Sequence, residues 1–319
     1  MLPVRDGVGA SCVSLPAGGW PCLIDFLVFR FPAIPEQEWR DRMLRGDVVD
    51  DHGAAVTPGH AYRPHRKLFY YRSLPFEAPI AGIEQVLFED ELLVVADKPH
   101  FLPVTPSGKY LQQTLLVRLR KRLGASDLTP VHRIDRETAG LVLLVKQAAT
   151  RKLYHALFAS RAVHKVYEAI APLPPEHLAL RFPYTHRSML GDSPNFMQMC
   201  EMPAASDRPG AAQPQGGVPT GAKAEARTVI ELLDVQGALA RYKLVPLTGQ
   251  RHQLRVHMAT LGMPIVGDRI YPVHRAEHSD DPDNPLRLLA QSLSFSDPVT
   301  GARHEFTSRQ ALAFPPLPF

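Results

Sequence analysis

Residues 131–146 read VHRIDRETAGLVLLVK. A short, densely charged run passes straight into Leu141–Val145, a continuous apolar run. A run of that length fits a strand, and without polar alternation both of its faces are expected to be buried. The charged residues then form a loop at the end of a rigid element. Asp135 lies between Arg133 and Arg136, and nearby guanidiniums favour its ionised form. An ionised carboxylate on such a loop can serve as nucleophile, base or metal ligand. On these residues alone, a solvated charged turn with Asp135 pairing locally is the plainer reading.

Upstream, Glu91–Ala96 (ELLVVA) reads as a strand that ends at DKP, because Pro99 cannot continue a ladder. Thr114–Leu123 reads as an amphipathic helix with Leu115, Leu116, Leu119 and Leu123 on its apolar stripe and Gly124 as its stop. Downstream, Ala148–Ser160 reads as a helix and His164–Ala171 as a strand with Lys165, Tyr167 and Ala169 on one face. A strand tyrosine is ordinarily a core or interface aromatic. Thr228–Leu233 and Tyr242–Pro246 read as strands, and 251–261 as a helix that Thr248 is expected to cap and Gly262 to close. In that helix Leu254, Met258 and Leu261 share an apolar face, while Arg251 and Arg255 share another. A helix start with arginines suits phosphate or carboxylate, although a surface helix with solvated arginines accounts for this stretch by itself. Strands and short helices interleave without a βαβ rhythm, which predicts an α+β fold with a mixed sheet.

The remaining chain divides by composition. Residues 1–20 look loose and flexible. Residues 21–75 form a small unit with a helix at Glu36–Leu44, two short strands around the His52-Gly53 turn, and a strand at Lys67–Arg72. A Pro-containing linker spans 73–80, a large domain spans 81–319, and a Pro-, Gly- and Ala-rich stretch at 203–222 is expected to be a flexible loop. The net charge of +4 permits nucleic-acid binding without demanding it. Cys12, Cys22 and Cys200 are too far apart for a metal motif and odd in number, which fits a reducing compartment. No apolar stretch has the length of a signal peptide core or a membrane span, so a soluble, cytoplasmic protein with no membrane partner is expected. There is no P-loop, no GxGxxG after a strand, no HExxH, no DFG and no GxSxG.

Five segments in order resemble the RluA-type pseudouridine synthases. Val86–Gly108 is similar to the family's opening strand and DKP turn, and HRIDRETAGLVLLVK resembles its signature HRLDRxTSGLLLxAK. HKVYEAI is similar to the strand carrying the family's tyrosine. TGQRHQLRVHMATLGMPIVGDRIY resembles TGRxHQIRxHLxxLGxPIxGDxxY, and Leu288–Phe306 resembles the C-terminal block. The likeness covers residues 86–308 and is poorest over 186–222. A weaker likeness links the N-terminal unit to the αL RNA-binding motif, with a packing extension as the other reading.

The resemblance implies a largely antiparallel central sheet flanked by helices, and isomerisation of uridine within RNA without metal or cofactor. It implies Asp135 as catalytic nucleophile, Tyr167 as the active-site tyrosine that helps remove the carbon-5 proton, and Arg255 as the partner of Asp135. Arg133 would enter the space left by a flipped uridine. Arg136, Lys165, Arg251, His252 and Gln253 are further expected RNA contacts. The partner would be large-subunit (23S-type) ribosomal RNA or transfer RNA, and the enzyme a monomer. A catalytically silent RNA-binding or assembly factor, or a metal-free glycosidic hydrolase, would share most of these features.

Overall fold

The computed structural model describes residues 2–195, 198–202, 224–275 and 280–316, so the expected loop at 203–222 lies outside the described residues. In chain order the elements are β1 (Ser11–Ser14), α1 (Leu23–Arg30), α2 (Glu36–Leu44), β2 (Val48–Val49), β3 (Lys67–Tyr70), β4 (Gln85–Glu89), β5 (Leu93–Lys98), α3 (Leu115–Leu123), β6 (Thr129–Pro130) and β7 (Ala139–Val145). There follow α4 (Arg151–Ala159), β8 (His164–Pro172), β9 (Tyr184–Asp192), β10 (Met199–Met202), β11 (Ala224–Gln236), β12 (Leu239–Pro246), α5 (Gln253–Thr260), β13 (Leu288–Ser296) and β14 (Arg303–Thr307). The chain divides into two compact units: Met1–Pro79 with Thr105–Ser126, and Ile80–Val104 with Asp127–Phe319. No helix among the described residues is long and apolar enough to cross a membrane.

In the first unit, a sheet ordered β1-β3-β2 packs with α1 and α2 around Leu23, Phe26, Leu27, Trp39, Met43 and Leu68. Two features depart from the sequence reading. The stretch 1–20 is not loose throughout: β1 pairs antiparallel with β3, and Val13 and Leu15 are buried in this core. Its small residues and prolines hide a strand that needs only alternate apolar positions. Helix α1 was not anticipated either. Its sequence, LIDFLVFR, lacks helical periodicity, and its start is marked only by the Cys22 amide donating to the Asp25 carboxylate at 2.9 Å.

Helix α3 matches its reading, with the Val117 amide donating to Thr114 Oγ1 at 3.3 Å and Gly124 closing it in the left-handed conformation at φ +62°. Its packing was not legible. Val117 and Leu111 share a buried cluster with Val8, with Leu74 against it, so residues 105–126 group with the N-terminal unit rather than with 81–319.

The second unit is a mixed, mostly antiparallel sheet with strand order β10-β9-β11-β12-β8-β13-β7-β5-β4, β14 pairing β13 and β6 pairing β7. The one parallel pair among the described residues is β13 with β7. Every residue of β7 is buried, as the unbroken apolar run requires. Strands β9 and β10 lie in the stretch where the likeness is poorest and where the sequence showed no strand. The polar residues of YTHRSMLGD hid β9, whose His186 and Ser188 sit beneath other polar groups rather than in water.

Candidate active site

The loop between β6 and β7 is tied down at several points. The Val131 amide donates to the Leu143 carbonyl at 2.9 Å. The Leu143 amide donates to His132 Nε2 at 3.1 Å, and the His132 ring stacks on Phe158 with centroids 4.6 Å apart. Burial, with Lys165 nearby, lowers the His132 pKa to about 3, so the ring is neutral and its Nε2 is free to accept. The buried Lys98 at the end of β5 donates to the carbonyls of Pro99 at 3.0 Å and Arg136 at 3.1 Å. Asp135 is thereby held beside the start of an interior strand, with its side chain 26% exposed.

Helix α5 brings Arg255 to it. This side chain is 1% exposed and its fork is fully used: Nε and Nη2 donate to Asp268 at 2.8 and 2.7 Å, and Nη1 donates to Asp135 Oδ2 at 3.0 Å. Glu137 Oε2 lies 3.8 Å from the same Nη1. Burial alone would raise the Asp135 carboxyl; His252, Arg255 and Lys98 outweigh it and hold the carboxyl below its usual range. Asp268 is fixed in turn by the amides of Ile270 and Tyr271, at 2.8 and 3.0 Å. Neither Asp268 nor Tyr271 was singled out from the sequence, although both stand in GDRIY; a buried arginine with two carboxylate partners has no periodic signature.

Tyr167 lies on β8 opposite Leu244 of β12 and Ala290 of β13. Burial first, and the Asp135 charge second, push its hydroxyl well above the ordinary value, so it carries its proton at neutral pH. Lys165, on the same strand, has its Nζ 6.0 Å from the Phe158 ring and faces the turn at Gly249. Arg133 is exposed and has no side-chain partner among the described residues. Arg136 instead forms a forked pair with Asp280, at 2.8 and 2.6 Å.

The residues before α5 depart from expectation. Thr248 does not cap the helix. Its hydroxyl donates to Gln253 Oε1 at 2.7 Å and accepts the Arg227 amide at 2.8 Å. Gln253 was expected to meet RNA, but it is buried, and its amide nitrogen donates to Arg227 O at 2.9 Å and Thr228 Oγ1 at 3.0 Å. It fastens the loop to β11. The helix starts at His252, in the left-handed conformation at φ +54°. Arg251 is half exposed and 3.9 Å from Asp192.

His186, Glu201 and His257 are the group among the described residues whose ligand-type atoms, all within 4.8 Å of one another, could hold a metal. They are already satisfied without one. His186 Nε2 meets Glu201 Oε1 at 2.7 Å, and the His257 ring meets Thr228 Oγ1 at 2.9 Å and Ser188 Oγ at 3.1 Å. The Thr228 hydroxyl accepts from Gln253 and shares a second hydrogen bond with His257 Nδ1. The cluster reads as a polar network that locks α5 to β9 and β11.

A family model described as RNA pseudouridylate synthase matches residues 92–260. An RNA pseudouridine synthase of Synechocystis, itself uncharacterised, is 30% identical over 250 residues, covering 78% of this chain and 79% of its own length. The tRNA pseudouridine(31) synthase of Saccharomyces cerevisiae is 26% identical over 288 residues, covering 81% of this chain and 68% of its own. Of solved structures, human RNA Pseudouridylate Synthase Domain Containing 4 matches with a TM-score of 0.55 and 26% identity, over 71% of this chain and 88% of that one.

Proposed function

Since the chain belongs to the RNA pseudouridylate synthase family, of RluA type, and isomerises uridine to pseudouridine in RNA, we propose that Asp135 is the group that opens the glycosidic bond. The supporting observation is the Arg255 fork, which keeps an ionised carboxylate aimed outward from a rigid loop. Attack by Asp135 on the ribose anomeric carbon breaks the bond to uracil nitrogen, and the base leaves with the electron pair. The base turns, its carbon 5 bonds to the anomeric carbon as the carboxylate departs, the carbon-5 proton is removed by a base, and the former glycosidic nitrogen takes up a proton, so that the product is an isomer of the substrate. Tyr167 serves this last stage. Burial and the Asp135 charge keep its hydroxyl protonated, so it acts as a relay: the phenol oxygen takes the carbon-5 proton as it passes its own to the regenerated Asp135 carboxylate.

Arg133, exposed and without a side-chain partner among the described residues, suits the role of filling the stack that a flipped uridine leaves. Transfer RNA is the proposed substrate, because relatives from yeast are named tRNA pseudouridine(31) and tRNA pseudouridine(32) synthases. Ribosomal RNA is the other outcome of pseudouridine mapping with and without the gene. The first unit, with two helices preceding short strands, is proposed as an αL-type RNA-binding module of a cytoplasmic monomer. The test of the central reading is Asp135→Asn, assayed by tritium release from uridine-labelled RNA: release is expected to vanish while RNA binding persists. Wild-type release by that variant would end the proposal.

A further inference from the structure

Arg255 accounts for one oxygen of Asp135. Oδ2 accepts from Nη1 at 3.0 Å, and His252 Nε2 stands 3.7 Å from Oδ1, an ion-pair separation longer than a hydrogen bond. That histidine is not loosely placed. Its ring nitrogen Nδ1 lies 2.9 Å from the Tyr271 hydroxyl, which also receives the Met199 amide at 2.7 Å. With Met199 supplying the phenol oxygen, its own hydrogen is available to His252 Nδ1, and the Asp135 carboxylate facing Nε2 favours the tautomer that accepts there. An imidazole that accepts at Nδ1 carries its proton at Nε2, the atom that faces Asp135. The backbone holds it there at a cost, since φ of +54° is a region that a non-glycine residue seldom occupies and that persists where the surroundings impose it. The His252 ring stands edge-on to Tyr271, at 87° with centroids 5.7 Å apart, and Tyr271 itself is buried beside the Arg255 guanidinium.

We propose that His252 is a positioning residue for Asp135 rather than an RNA contact: a tautomer-locked N–H, set by Tyr271, that faces Oδ1 at 3.7 Å and tightens to a hydrogen bond when RNA is bound, while Arg255 holds Oδ2. This rests on Asp135 being the reacting group. The two donors differ in strength. Arg255 is a permanent charge shared with Asp268, whereas the single N–H of His252 is weaker and releases Oδ1 as that oxygen forms its bond to ribose. Burial, offset in part by Asp135, lowers the His252 pKa, which keeps the ring neutral and the lock intact at neutral pH. The other charged groups around the carboxylate are Lys98 and Glu137, with Tyr167 the neutral hydroxyl.

The experiment uses the full-length enzyme and tritium release from uridine-labelled RNA, with Asp135→Asn as the control for the underlying reading. His252→Ala is expected to lower kcat by about tenfold to a hundredfold, the worth of one hydrogen bond to a charged group, with KM little changed. The acid limb of the kcat/KM profile is expected to move to higher pH, because a carboxylate deprived of a donor protonates more readily. His252→Gln, whose amide reaches the same place, is expected to restore most of the rate. Tyr271→Phe, which removes the lock without touching His252, is expected to move the acid limb in the same direction. A raised KM with unchanged kcat in His252→Ala would overturn the inference and return the residue to RNA binding. A loss that His252→Gln does not restore, with the acid limb unmoved, would overturn it in favour of a purely structural role. If Asp135→Asn turns over normally, it is the nucleophile reading that fails.

Discussion

Arg255 is a single positive charge buried among carboxylates, and its value to the site depends on Asp268 more than on Asp135. Both members of the Arg255–Asp268 pair have side chains 1% exposed. Removing one partner of such a pair leaves the other unpaid in a medium that solvates it poorly. Asp268→Asn is therefore expected to cost about 3–5 kcal/mol in urea unfolding. It should also slow catalysis, since the fork that aims Arg255 is lost. An unchanged unfolding midpoint would show that Asp135 and Glu137 suffice to hold the guanidinium. Tyr167→Phe separates the two readings of that residue. The ring stays packed against the cluster that holds Tyr242, Leu244 and Leu288, so stability should be nearly unchanged, while tritium release should fall severely. A normal rate would leave Tyr167 as a core aromatic.

At the scale of elements, β7 determines where the catalytic loop emerges, and it does so through one glycine. Gly140 has φ +108°, and a Cβ there would run into the backbone carbonyl of Ala290 on the parallel strand β13. Gly140→Ala is expected to cost about 2–5 kcal/mol from backbone strain and overlap together, read as a lower urea midpoint. No change would mean that β13 and β7 separate freely. Lys98, at the end of β5, makes a pH prediction. Burial lowers its pKa to about 7 from 10.5, with Glu137 and Asp135 resisting the fall. Below pH 7 both folded and unfolded chains carry the proton, and the cost of burying the charge is felt in full. Between about 7 and 10.5 the unfolded chain binds more protons than the folded one, so this residue's contribution makes stability rise with pH. The rise should be absent in Lys98→Met, and a slope shared by both proteins would place its source elsewhere.

Much of this was legible from the sequence because β7 is an unbroken apolar run, α3 carries a helical apolar stripe and β8 is a short run of strand formers, and because Asp135, Tyr167 and Arg255 stand in ordered motifs. What was not legible has a common physical cause. The second partner of Arg255, the inward role of Gln253 and the αL turn at His252 are set by polar groups meeting across elements far apart in the chain. Strand β9 was missed for the same reason, since its polar residues are satisfied internally.

For the whole molecule, the sequence places a natural boundary at the Pro-containing stretch 73–80, which would let 81–319 stand alone. The packing of residues 105–126 argues otherwise. The carboxylate of Glu77 accepts the amides of Leu111 at 2.8 Å, Gln112 at 2.8 Å and Gln113 at 2.6 Å, just ahead of the Thr114 cap. Arg120 donates to the Gly7 carbonyl at 2.9 Å, and Val117 is buried with Val8. Deleting residues 1–79 strips three backbone donors of their acceptor and exposes the apolar side of α3. Exposed apolar surface of that kind binds hydrophobic dyes and promotes association. A chain starting at Ile80 is expected to bind such a dye, to unfold at lower temperature than the full chain and to aggregate. Glu77→Gln in the full chain isolates the hydrogen-bond part. It keeps shape but weakens the acceptor, and is expected to lower the unfolding temperature without dye binding. A truncated chain that unfolds at the full chain's temperature, with no dye bound, would show that residues 105–126 hold their structure without the N-terminal segment.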